Sequence, residues 1–288
     1  MTASVMNLDA VGSRSEPYEV TWTPGEAALY ALAVGAGHDD PLSELHLTID
    51  DAASPTPQQV LPTFALWPSQ QGVTRRLQLG TFERSALVHA EQSLTVQRPL
   101  PTSGRGIATA RLDGIHDKRS GALVRISIDV VEPDTGATLW TSRLGYFVRG
   151  AGGFGGDSAP SDPWPAADRP ADRTIDFASW PGQALLYRLT GDRNPLHSDP
   201  DYARRAGFDR PVLHGLCTYG MVARALLKDV ADSDPGRFRS IDARFSKPVY
   251  PGDAVVVEVW DDEDGHSFRV SGPGGGVLLD RGRLRISS

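Results

Sequence analysis

Asp192 and His197 stand five residues apart in the run Gly191-Asp192-Arg193-Asn194-Pro195-Leu196-His197, and Pro195 keeps one regular helix from carrying both. Set in a turn, a carboxylate and an imidazole can share one water and take its proton, which is general base chemistry. Gly215 follows in Pro211-Val212-Leu213-His214-Gly215, where helical apolar spacing begins. A glycine that opens a helix keeps its N–H free of intrahelical acceptors at the positive end of the dipole, which suits an oxyanion. A general base and an oxyanion donor without a nucleophile fit the addition or removal of water beside a carbonyl. Plainer roles fit the same residues. Asp192 and Asn194 can cap backbone groups of a turn, and His197 can serve as a packing residue.

Other chemistries match less well. A calcium loop begun at Asp192 would place Leu196 and His197 fifth and sixth and Ala203 twelfth, where oxygen ligands and a glycine belong. His197, His214 and Asp199 could hold zinc, but they follow no familiar ligand spacing, so no metal is expected. No G-x-S-x-G elbow is present for a serine hydrolase. Cys217 lies just inside the helix and reads as a small core residue before an activated thiol. Gly150 to Gly155 spells a nominal G-x-G-x-x-G, but Pro160, Pro163 and Pro165 follow where a phosphate-binding helix would have to start.

The elements that must position these residues come in two copies. Leu29-Tyr30-Ala31-Leu32 answers Leu186-Tyr187-Arg188-Leu189, and Val60-Leu61-Pro62-Thr63-Phe64 answers Val212-Leu213-His214-Gly215-Leu216. Val96-Gln97-Arg98-Pro99 then answers Phe245-Ser246-Lys247-Pro248, in the same order. Three ordered matches indicate a duplicated fold. The Gly/Pro-rich stretch from 151 to 170 is a connector between a first half, 1–150, and a second, 171–288. In the second half, spacing predicts a short helix over Pro181–Leu189, a long one over Gly215–Val230, and then alternating strands. The first half predicts a helix near Leu61–Gln70 and strands near Gln92–Gln97, Ile107–Ile115, Ala122–Glu132 and Thr138–Val148. A helix packed on an antiparallel sheet, twice over, is an α+β arrangement.

With 288 residues, the chain is long enough for two such domains, and 40% hydrophobic content gives each a core. Twenty-nine basic against 36 acidic residues leave a net charge of −7, with no dense Lys/Arg stripe. That argues against nucleic acid and anionic membranes as partners. The single cysteine excludes an internal disulfide, and no signal peptide or spanning run appears, so a cytoplasmic protein is expected.

The Gly191–His197 run resembles the signature of the (R)-specific enoyl-CoA hydratases, the hydratase 2 or MaoC-like dehydratase family. Tyr187–Gly220, Ala243–Gly252, Leu61-Pro62-Thr63-Phe64 and Gly150–Gly156 are similar to the hydratase 2 portion of peroxisomal multifunctional enzymes. The likeness runs from about Tyr18 to Leu284, and it implies a double hot dog, two sheets each wrapped around a central helix. It also implies that Asp192 and His197 are catalytic, that Asn194 orients the site, and that the Gly215 amide contacts the thioester oxygen. Gly35 stands about where Asp192 has its first-half counterpart, so that half is expected to be inert and to make room for the acyl chain. A further family carboxylate has no clean match; Asp50 or Asp51 is nearest. The implied reaction is hydration of a trans-2-enoyl thioester to the (R)-3-hydroxyacyl thioester, and its reverse, with no cofactor beyond the coenzyme A or acyl-carrier-protein thioester itself. Arg244, Lys247 and His214 are the candidate substrate-binding residues, and a homodimer is the expected assembly. A hot-dog thioesterase and a non-catalytic acyl-thioester-binding module are the alternatives; the latter would lack the Asp/His pair.

Overall fold

The computed structural model describes residues 4–51, 53–156, 159, 164 and 169–287. Two short strands, β1 (Val5–Met6) and β3 (Gly80–Thr81), pair beside a sheet of ten. The first half supplies β2 (Tyr18–Trp22), β4 (Leu87–Val96), β5 (Gly104–Asp117), β6 (Gly121–Val131) and β7 (Thr138–Arg149). The second supplies β8 (Arg173–Ala178), β9 (Phe238–Phe245), β10 (Ala254–Asp262), β11 (Gly265–Ser271) and β12 (Val277–Ile286). Their order is β2-β5-β6-β7-β4-β9-β12-β11-β10-β8, antiparallel throughout. Read outward from the β4–β9 seam, the two halves have the same connectivity. The register at the seam shows the same duplication. Since Val96 and Phe245 are counterparts, Thr95 answers Arg244 and Glu91 answers Ser240. Glu91 faces Arg244 and Thr95 faces Ser240, so each pair is the other's image about Ser93–Asp242.

The strands form where alternation buries one face. In β6, Ile126, Ile128 and Val130 are fully buried while Arg125, Ser127 and Asp129 turn away. Helix α1 (Pro24–Ala33) starts at a capping box in which Thr23 and Glu26 satisfy each other's backbone N–H groups. Short helices α2 (Leu45–Thr48), α3 (Leu66–Gln70) and α4 (Val73–Arg76) complete the first half, and α5 (Gln183–Tyr187), α6 (Pro200–Arg205) and α7 (Gly215–Ala231) belong to the second. Among the described residues only α7 is long, at 17 residues, and its apolar face sits in the core shared by both halves. Gly220 lets α7 approach α1, because a Cβ there would lie 2.6 Å from the Tyr30 hydroxyl and 2.7 Å from Val34.

The first-half helix expected over Leu61–Gln70 is broken. A 3-10 turn, Pro62–Ala65, leads into α3, and Gly72 in the left-handed region (φ 70°) separates α3 from α4. Pro62 and Pro68 contribute no N–H, and Gly72 ends the run, so nothing as long as α7 can form. Part of the expected 151–170 connector lies outside the described residues. At its start, the Gly153 and Gly155 amides donate to the Asp117 carboxylate at 3.0 and 2.6 Å, so in this glycine run a side chain of the protein takes those donors. Among the described residues, no helix is long and apolar enough to cross a membrane.

Candidate active site

The turn ahead of α7 is built by its own side chains. Gly191 takes φ 117°, open to glycine alone, and the Asn194 amide donates to Asp192 Oδ1 at 3.1 Å. The Asn194 side chain accepts from Leu196 N at 3.1 Å and caps a 3-10 turn over Pro195–His197. Asp199 caps α6, accepting from the amides of Asp201 and Tyr202, which accounts for its carboxylate. Beneath this excursion, Leu196, Ala203, Ala206 and Val212 form a small core separate from the main one.

His197 is buried, and its Nδ1–H donates to the Val212 carbonyl at 2.8 Å. That bond fixes the tautomer and leaves the Nε2 lone pair free on a side chain that lines the cavity described below. Burial pushes its pKa down, against the pull of the Asp192 charge and the Val212 carbonyl, so the ring is neutral at neutral pH. The ring stacks on His214, with centroids 3.7 Å apart and planes at 25°. One ligand atom each from Asp192, His197 and His214 lie within 4.8 Å of one another. A water making two hydrogen bonds at a tetrahedral angle spans about 4.5 Å, so this spacing lets one water bridge carboxylate and imidazole. A metal fits these atoms poorly. The in-plane lone pairs of rings stacked 3.7 Å apart lie in separate, nearly parallel planes, so they do not meet at one ion within bonding distance.

Gly215 opens α7 and lines a cavity of about 1290 Å³. Walls come from both halves: Leu66, Trp67, Phe82 and Tyr146 from the first, Phe208 and Phe245 from the second. Nine Lys/Arg and two Asp/Glu line it, an excess of positive charge gathered on a chain of net charge −7. His89 and Tyr146 were not indicated by the sequence. His89 reaches in from β4, its Cβ 3.5 Å from a Cβ built on Gly215, and its ring sits between Tyr146 and Phe245 at 5.2 and 4.9 Å. Burial lowers the His89 pKa to about 4, while the Asp192 charge pulls the other way. Burial and the Asp192 charge both raise that of Tyr146. Nothing in the local pattern of β4 or β7 marks these two residues. The register pairs them, and the irregularity between His89 and Glu91 re-aims the strand.

A hydration-type site on a duplicated sheet agrees with known proteins. Residues 163–273 match the MaoC like domain model, and residues 20–150 match the MFE-2 hydratase 2 N-terminal domain model. The chain belongs to the MaoC-like dehydratase family. It is 42% identical over 264 residues to enoyl-CoA hydratase ChsH3 of Mycobacterium tuberculosis, covering 89% of this chain and 90% of that one. It is 38% identical over 292 residues to 3-hydroxyacyl-thioester dehydratase Y of the same organism, covering 96% and 97%. The crystal structure of a MaoC-like dehydratase from Phytophthora capsici superposes with a TM-score of 0.84 at 26% identity, over 98% of each chain.

Within this MaoC-like dehydratase, several expected roles need correction. His214 was expected to bind substrate, but it is 1% exposed and lies behind His197, outside the cavity lining. Arg244 lines the cavity with its guanidinium already paired in both arms to Asp280, at 2.7 and 2.6 Å, so its fork is not free for a phosphate. Lys247 also lines the cavity, with Nζ 3.3 Å from where a Cβ on Gly276 would be. Asp50 is exposed beside Gly25, and neither it nor Asp51 lines the cavity. Gly35, Ala36 and Gly37 do not line it either. Gly35 is covered by Arg224, whose Nη1 pairs with the buried Glu44 carboxylate at 2.6 Å and whose Nε donates to the Val34 carbonyl. The first-half residues that do line the cavity include Leu66, Trp67, Gln70, Val73, Thr74 and Arg75 of the broken α3–α4 segment. Cys217 is fully buried with its thiol toward the Ala33 carbonyl, a core residue.

Proposed function

We propose that this chain is a hydro-lyase that adds water across trans-2-enoyl thioesters to give (R)-3-hydroxyacyl thioesters, and catalyses the reverse dehydration. The observation that carries the reading is the Asp192–His197 pair at one-water spacing, lining the same cavity as Gly215, which opens α7. The water lies between the carboxylate and the neutral Nε2. It gives up a proton as its oxygen bonds to C3 of the enoyl group. The electron pair of the C2–C3 double bond moves toward the thioester carbonyl, and the Gly215 N–H holds the oxygen as charge develops there. A proton delivered from the same acid–base pair to C2 completes the addition, so the water is fully accounted for. The thioester is the electron sink, and the step needs no further cofactor.

The carrier is an anionic thioester, coenzyme A or acyl carrier protein, met by basic residues around the cavity. With Arg244 held by Asp280, Lys247 and Arg193 are the lining cations proposed to face its phosphates. The test is a crotonyl-, octenoyl- and hexadecenoyl-CoA series followed by loss of enoyl absorbance, with chiral analysis of the product. An (R)-3-hydroxyacyl-CoA is expected. Release of free thiol without hydration, or an (S) product, would contradict the reading.

A further inference from the structure

We infer that His214 is a positioning residue of this reaction, holding the His197 ring and the Asp192 main chain in the register that lets one water bridge them. The inference rests on the hydratase reading above. His214 has ties to all three working groups. Its ring stacks on His197 at 3.7 Å. Its Nε2–H donates to the Asp192 main-chain carbonyl at 3.1 Å. It directly precedes Gly215, and its own carbonyl accepts the Thr218 amide at 3.1 Å, so it anchors the first turn of α7. The Tyr187 ring lies tilted against it, with centroids 4.9 Å apart. At 1% exposure and outside the cavity lining, His214 cannot touch substrate.

The imidazole is there for its donor. Among the described residues its Nδ1 is buried without a partner, a penalty that a phenyl ring in the same place would avoid. What the imidazole adds over a phenyl ring is the bond from Nε2 to Asp192. Burial and the neighbouring His197 lower the His214 pKa to about 3, so it stays neutral and its tautomer is fixed by the carbonyl it serves. Around His197 the titratable groups are Asp192 and His214, with Tyr187 and Arg188 beyond His214. Stacking on a neutral ring keeps one face of His197 dry without placing a charge against it.

Two variants separate the two contacts. His214→Phe keeps the stack and loses the donor; kcat for crotonyl-CoA should fall at least about tenfold with little change in KM, and the acid limb of the pH profile should stay in place. His214→Gln keeps a donor and loses the stack; water reaches the exposed face of His197, and the acid limb should move up toward the free-histidine value of about 6.5. Asp192→Asn is measured beside them. If it keeps full activity, the hydratase reading fails. If it is inactive while both folded His214 variants match wild type in kcat and pH profile, this inference alone fails. Nitrogen NMR of the histidines in the unmodified protein gives a check that needs no variant. His197 protonated at Nδ1 and His214 at Nε2 are expected, and the opposite tautomer at His214 would overturn the inference.

Discussion

In the second half, the turn after the short helix carries Asp192 and His197, and the helix beyond it runs 17 residues from Gly215. At the matching place in the first half stands Gly35, covered by Arg224, and the corresponding helix is interrupted at Gly72. The sheets differ far less. Each half contributes five strands in one connectivity, joined seam to seam. The comparison teaches what a duplicated fold does with its spare copy. The proposed oxyanion donor calls for a rigid helix N-terminus, which the intact α7 offers and the broken first-half segment does not. The broken one gives up volume to the cavity, and the empty turn becomes an anchor point for a cross-half ion pair.

If that division is right, the halves cannot be separated. A fragment of 172–288 loses the β4–β9 seam together with His89, Tyr146 and the α3–α4 wall. Its exposed apolar surface should drive self-association and abolish enoyl-CoA hydration. A monomeric fragment with full activity in sedimentation and kinetic assays would break the comparison. The anchor comes next. Arg224→Met strands the Glu44 carboxylate, which is 4% exposed, and should lower stability by about 3–5 kcal/mol in urea unfolding. Adding Glu44→Leu should recover most of that loss, because a buried pair is replaced by apolar contact. Equal stability of single and double variants would show that the pair does no anchoring.

A smaller effect is the response to acid. His89, at about 4, His214, at about 3, and His197, also lowered, are all held neutral by burial. In the unfolded chain each takes up a proton below about pH 6.5, so the unfolded state binds more protons and stability falls as pH drops from 6.5 toward 4. His89 and His214 each contribute up to about 1.4 kcal/mol per pH unit in that window, and His197 acts in the same direction. His89→Leu should flatten the slope between pH 6.5 and 5; an unchanged slope would mean His89 is not held neutral. The smallest expected effect is on chain length. Thr74→Trp fills the cavity wall made by the broken helix, and it should spare crotonyl-CoA while cutting turnover of C10 and longer substrates about tenfold. Ala36→Trp, at a buried position outside the cavity, should instead overpack the protein and affect all lengths alike. The reverse pattern would return the acyl channel to Gly35–Gly37.

What could be read from the sequence was local chemistry and repeat order. Gly191 to His197 announces a turn because Gly, Asn and Pro each restrict the backbone there, and the Asp–His spacing lies within that turn. The duplication was legible because its three matches keep their order. Helix α7 was legible from its apolar spacing; the broken first-half helix was misread because Leu61, Phe64 and Leu66 keep an apolar pattern that Pro62, Pro68 and Gly72 interrupt. His89 and Tyr146 were invisible, since only strand register pairs them and only the tertiary fold brings His89 to Gly215. His214 was misassigned because a sequence does not say which side of His197 it occupies.

The central claim is that one water is handled by Asp192 and His197 in the second half alone. The direct measurement is kcat with an enoyl-CoA for Asp192→Asn and His197→Gln, each compared with wild type in turnover and in thermal midpoint. The account predicts a loss of at least about a hundredfold in each, the usual scale for an acid–base group, with the fold retained because size and polarity are kept. Near-normal turnover by either folded variant would contradict it.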